Sequence, residues 1–171
     1  MNRKLILTLV MVLAVATLSV PAVAGSYSVT LTLASPVQFG HSGEMVSFFA
    51  TVMAPGGNSG PVYLNGDSFN VASPLSLDDT PFLLNYPLSM NPGDNFSGLL
   101  FTLTIPNGTA SGAYDGYFQI VGGSDPNGQG PLSNVVDFRL DVAEPSALLL
   151  LLSSGSIALF GVVRRRRLLR Q

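Results

Sequence analysis

The residues that could do chemistry in this chain are few and scattered. His41, the only histidine, stands in Phe39-Gly40-His41-Ser42-Gly43-Glu44, with a hydroxyl and a carboxylate close by. A Ser-His-acid triad needs three groups brought together from separate positions around a supported nucleophile. Nothing near Ser42 has the spacing of a nucleophile elbow, so His41 reads as a loop histidine. Asp125, Asn127 and Gln129 alternate before Gly130 as the start of a calcium loop would, but the twelfth position, where a bidentate acid belongs, is Val136. Asp78-Asp79 is a second weak calcium candidate. Tyr63, Tyr86 and Tyr117 are candidate outward aromatics for stacking on sugar rings; the chain has no tryptophan. Asn95-Phe96-Ser97 and Asn107-Gly108-Thr109 match the glycosylation pattern and read as ordinary turn chemistry. With no cysteine, disulfides, thiol catalysis and thiolate metal sites are excluded. A single histidine leaves zinc without ligands. No cofactor is expected, and the chain is not expected to be an enzyme.

Charge is distributed very unevenly. Of 171 residues, 47% are hydrophobic and 11% charged. Between Gly25 and Ala143, nine carboxylates face one cation, Arg139, which leaves a net charge near −8. The whole-chain value of −2 hides this, because the other cations lie near the two ends. A surface of that sign repels DNA and RNA, so nucleic acid is not an expected partner. Arg139 lies two residues from both Asp137 and Asp141, on one strand face, and reads as part of a solvated charge row.

The elements that must position these groups are strands. Ser26–Ala34 alternates, with Tyr27, Val29, Leu31 and Leu33 on one face. Met45–Ala54 is apolar on both faces and reads as a central strand. Pro61–Val71 reads as a strand, a turn at Asn65-Gly66 and a short second strand. Thr80–Met90 reads as a further strand. Asn95–Pro106 places Leu99, Phe101, Leu103 and Ile105 on one face. Gly112–Gly123 does the same with Tyr114, Phe118 and Ile120, and Asn134–Val142 with Val136, Phe138, Leu140 and Val142. Gly- and Pro-rich turns separate the runs. Seven or so short strands at this spacing predict an antiparallel β-sandwich over residues 25–142. Gly112-Ala113-Tyr114, just before a strand, resembles the tyrosine corner of immunoglobulin-like folds. A domain of this size buries about 65% of its unfolded surface, enough for a core without cysteine.

Both ends carry apolar segments. Arg3 and Lys4 precede an uncharged run from Leu5 to Val20; Pro21 breaks it, and Ala22-Val23-Ala24 offers the small-x-small pattern that signal peptidase accepts. Residues 1–24 therefore read as a signal peptide cut after Ala24, with Gly25 as the mature start; an uncleaved anchor is the alternative. Ala147 to Val163 is a second uncharged run of 17 residues, about 25 Å long as a helix and near the lower limit for crossing a bilayer. Arg164, Arg165, Arg166 and Arg167 follow, and such arginines stay on the cytoplasmic side. Glu144 and Pro145 suit the first turn of a helix by charge and by fixed φ.

This tail has a further reading. Val142-Ala143-Glu144-Pro145-Ser146, a span interrupted at Ser153-Ser154-Gly155-Ser156, and the arginine block together resemble the PEP-CTERM sorting signal, with Ala143 in place of the first proline. The resemblance covers residues 143–171. It implies recognition by an exosortase, a membrane-embedded cysteine transpeptidase, at a sorting motif of Glu144, Pro145 and Ser146. Arg164 to Arg167 would retain the precursor in the inner membrane. It also implies delivery to the cell surface or extracellular matrix of a Gram-negative bacterium. The expected function is thus that of an exported, non-enzymatic surface or matrix protein. Its expected partners are signal peptidase, an exosortase-like transpeptidase, the membrane and, as a candidate, exopolysaccharide. The alternatives are a carbohydrate- or calcium-binding surface module, or a permanently anchored single-pass protein.

Overall fold

The computed structural model describes residues 25–144, and they form two β-sheets face to face with one short helix between them. The elements are β1 (Thr30–Leu33), β2 (Val37–Gly40), β3 (Met45–Met53), β4 (Val62–Val71), β5 (Ser76–Asp78), α1 (Thr80–Asn85), β6 (Ser89–Met90), β7 (Asn95–Thr104), β8 (Gly112–Gly123), β9 (Gly130–Pro131) and β10 (Val136–Val142). One sheet runs β1-β3-β7-β5. The other runs β2-β10-β8-β4-β6, with β9 added beside β8. β1-β3-β7 and β2-β10-β8-β4 follow the order of strands A, B, E and A′, G, F, C of an immunoglobulin-type sandwich, while β5 and β6, in the places of D and C′, come in reversed chain order.

Alternation places the core as expected in several strands. Val29, Leu31 and Leu33 turn inward from the β1 segment, and Phe138, Leu140 and Val142 from β10. At the centre Phe101 touches three other rings: Phe48 at 4.8 Å, Phe138 at 4.9 Å and Phe118 at 5.3 Å between centroids. One ring from each of four strands therefore meets there. Tyr114 Oη donates to the Ala110 carbonyl at 2.9 Å, the bond that defines a tyrosine corner. Asn58 and Asn134 each pair their side-chain amides with the backbone of Ser28 and Leu31 respectively, which pins the N-terminal edge.

Five expectations are corrected. The sandwich is not wholly antiparallel: β2 pairs with β10 in parallel. The chain crosses from one sheet to the other between β1 and β2, so β2, at the edge of the second sheet, lies beside the last strand, β10, and runs the same way. Asn65-Gly66 is a β-bulge rather than a turn. Leu64 faces Gly122 and Gly66 faces Val121, which leaves Asn65 as the extra residue in one continuous strand. A second bulge puts both Leu100 and Phe101 inside and moves Leu99 out of the core set. Thr80–Met90 is not one strand: Thr80–Asn85 is α1, and only Ser89–Met90 pairs, as β6. Pro81 sits in the first helical turn, and Phe82 and Tyr86, four residues apart, share the face of α1 that meets the core. β3 is central in its sheet, but only one face is covered; Met45, Phe49 and Met53 are exposed on the other. Among the described residues no helix is long and apolar enough to cross a membrane, and the run Ala147–Val163 lies outside them.

Candidate functional site

The bulge in β4 organises the most distinctive surface feature. Val62 and Leu64 point inward, so Tyr63 points out, and the residue opposite it on β8 is Gly123, which offers no side chain to cover it. The extra residue, Asn65, swings its amide onto the β8–β9 connection. Its Nδ2 donates to the carbonyls of Asp125 at 3.0 Å and Gly128 at 2.8 Å. That connection folds tightly back on β8. A Cβ on Gly128 would lie 2.9 Å from the Cα of Gly123 and 3.0 Å from the Gly122 carbonyl oxygen. Between this clamped loop and α1 lies a cleft of about 410 Å³, walled by Tyr63, Leu83, Leu88 and Pro126, with Asn65 and Gln129 as polar groups. None of the side chains lining it is charged. Tyr86 forms its floor rather than an outward platform. It is buried, and its hydroxyl shares one proton between the carbonyls of Ala50 and Gly98, 3.1 and 3.0 Å away on the opposite sheet. Burial pushes its pKa up to about 12.

The same bulge has a second effect. By shifting the strand's parity it places Asp67 opposite the fully buried Ile120, hence on the inward face. Asp67 Oδ2 is buried without a hydrogen-bond partner. Burial pushes this carboxyl up to about 7, helped by the nearby charge of Asp79. Asp79 is the N-cap of α1 but makes no side-chain capping bond. Asp67 thus keeps a proton in the folded state that it loses near pH 4 in the unfolded chain. Folding gains from this proton most below pH ~4. The gain fades as pH rises and is gone above about 7. In a dry interior the shift corresponds to about 4 kcal/mol, and solvent at this half-exposed group reduces it to about 1–2 kcal/mol. Asp67→Asn is therefore expected to remove a fall in stability of that size between about pH 4 and pH 7, measured by urea unfolding. Glu44 and Asp78, both held below the usual carboxylate range by hydrogen bonds, act only at more acid pH.

The chain matches no family model and no curated protein. It is similar to a family 123 glycoside hydrolase from Clostridium perfringens, at 10% identity and TM-score 0.42 over 69% of this chain and 28% of that one. It is also similar to WR4, an MSP family member of C. elegans, at 8% identity and TM-score 0.37 over 66% and 97% of the two chains. A third similarity is to the CARDB domain of PF1109 from Pyrococcus furiosus, at 15% identity and TM-score 0.32 over 70% and 89%. The chain spans just over a quarter of the hydrolase's length, and at these scores none of the likenesses bears on function.

Of the residues singled out in the sequence, Tyr63, Tyr86 and Gln129 meet at the cleft, and the others are not brought together. His41 is exposed; its backbone N–H donates to Glu44 Oε2 at 2.8 Å, and its ring nitrogen Nδ1 lies 3.2 Å from the same oxygen. Ser42 Oγ donates to the Pro106 carbonyl and accepts from Gly108 N–H, so its proton is directed away from His41. These bonds tie the β2–β3 turn to the β7–β8 loop. Asp125 accepts from the N–H of Asn127 in a local turn, and Asp78 from that of Thr80. Among the described residues no three acidic or histidine side chains gather where a metal ion could sit. Thr109 is buried and bonds back to Pro106. Arg139 pairs with Asp141 at 2.8 Å on the exposed face. Of the three tyrosines, Tyr63 lines the cleft, Tyr117 is half-buried on the outer face of β8, and Tyr86 belongs to the core. Gly25 and Glu144 are exposed at the two limits of the described residues. Ala22, Ala24, Pro145, Ser146 and Arg164 to Arg167 lie outside them. Asn65 and Asp67 were not legible as site residues, since the only signal was Asn-Gly in a strand run, which marks turns and bulges alike.

Proposed function

We propose that this chain is an exported, non-enzymatic surface or matrix protein whose immunoglobulin-like sandwich is released from signals at both ends. The observation that supports this is where the core of the described residues lies relative to the two expected cuts. Val142 is the last core side chain of β10, and Ala143 makes a backbone bond to the Gly40 carbonyl at 3.0 Å. Glu144, the first residue of the sorting motif, is exposed immediately after it. At the other end Gly25 and Ser26 are exposed, and the core begins at Val29. Cuts after Ala24 and at Glu144–Ser146 would therefore clear the core on both sides. The transmembrane and sorting roles of residues 143–171 rest on their resemblance to the PEP-CTERM signal.

Intact-mass measurement of the protein from a Gram-negative host with an exosortase tests the reading. The expected species starts at Gly25 and ends near Glu144–Ser146. Replacing Arg164 to Arg167 with neutral residues is expected to disturb precursor retention or processing. A chain that keeps residues 147–171 in that host is a permanently anchored protein. One that keeps residues 1–24 is not exported by this route.

A further inference from the structure

We propose that the cleft between α1 and the β8–β9 connection binds a neutral saccharide. This goes beyond the delivery of the protein and does not depend on it. The cleft's volume of about 410 Å³ lies within the range of small-molecule sites, roughly 300–1,000 Å³. Its lining decides the class of ligand. No charged side chain faces it, so it holds no counter-ion for a phosphate, carboxylate or amine. The acidic excess of residues 25–144 repels anionic polymers from the surrounding surface.

What the cleft offers is an aromatic ring, apolar walls, one polar group held in place, Asn65, and one exposed amide, Gln129. Tyr63 projects from the outer face over a strand position that has no side chain. The face of its ring is electron-rich and suits the polarised C–H face of a pyranose. Asn65 spends both N–H groups on the loop carbonyls, which fixes the amide and leaves Oδ1 as an acceptor. The Gln129 side chain makes no hydrogen bond among the described residues, so its amide can both donate and accept. A ring with one apolar face and a rim of hydroxyls fits that set. A purely apolar guest would desolvate Asn65 and Gln129 without replacing their hydrogen bonds. The bulge, the clamp and the glycines that allow the loop's close approach preorganise the walls, which lowers the ordering cost of binding.

The test is an amide-resolved NMR titration of the full chain in a detergent without a sugar headgroup. The probes are neutral malto-, cello- and galacto-oligosaccharides, an oligouronate, and a neutral leucine-containing peptide. The expected result is saturable shifts at Leu64, Asn65, Leu88 and Gln129 with at least one neutral sugar, with a Kd on the order of 1 mM. Tyr63→Ala and Gln129→Ala should weaken that binding by roughly tenfold and several-fold respectively. Gln129 lies on a connection, so its variant reports binding even if Tyr63→Ala disturbs β4. The proposal is overturned if no neutral sugar shifts these amides up to tens of millimolar, if shifts map elsewhere, if both variants bind as the parent does, or if the oligouronate or the peptide binds more tightly than every neutral sugar.

Discussion

Phe101→Ala is expected to destabilise the folded protein by about 3–5 kcal/mol, the range for removing a buried aromatic side chain. Phe101 is fully buried and packs on Phe48, Phe118 and Phe138, so the cavity would open where both sheets meet. Rings on three other strands frame that space, and the backbone hydrogen bonds of β3, β8 and β10 keep them from closing over it. A domain of this size has about 5–15 kcal/mol in total. Urea unfolding should show a large fall in midpoint with an unchanged slope, because the surface exposed on unfolding stays nearly the same. A loss below about 1 kcal/mol would mean that the four rings do not meet as described.

Gly122→Ala is also expected to be strongly damaging, for a different reason. A Cβ at Gly122 would lie 1.9 Å from the Tyr63 carbonyl oxygen, which is backbone and cannot rotate away. Leu132 crowds the same point at 3.1 Å. Relief requires β4 and β8 to separate at the bulge, where Leu64 pairs with Gly122. Overpacking typically costs about 1–3 kcal/mol, and a clash with a ladder carbonyl belongs at or above the upper end. Gly56→Ala is the control: nothing lies within 4 Å of its added Cβ, and its effect should stay within about 0.5 kcal/mol. Equal thermal midpoints for the two variants would contradict the close approach of β4 and β8. Damage at Gly122 should also open the cleft, since the Gly128 turn packs on the same glycines.

Both predictions turn on features that sequence reading reached unequally. The pattern Val136, Phe138, Leu140, Val142 marked β10 because the side-chain period of a strand is two and one face is buried. Tyr114 after Gly112-Ala113 marked the corner because its bond to Ala110 is local in the chain. Leu99 was misplaced because a bulge depends on how many residues the partner strand sets opposite, which a single run of sequence does not contain. Phe82-Leu83-Leu84 looked like strand because a short apolar run has no period of its own; Pro81, with Phe82 and Tyr86 finding the core four residues apart, made it a helix.

What the sequence determined by itself is therefore local: alternating strands, Gly and Pro turns, the missing cysteine, the acidic middle and the apolar runs towards both ends. Each is written in neighbouring residues and needs no partner to be read. The tertiary structure alone decided that Asn65 clamps a distant loop, that Asp67 turns inward beside Asp79, that Tyr86 lies in the core, and that β2 runs parallel to β10. These depend on register and on contacts between residues tens of positions apart, where one extra residue in a strand reverses which side chains meet the core and which line the cleft.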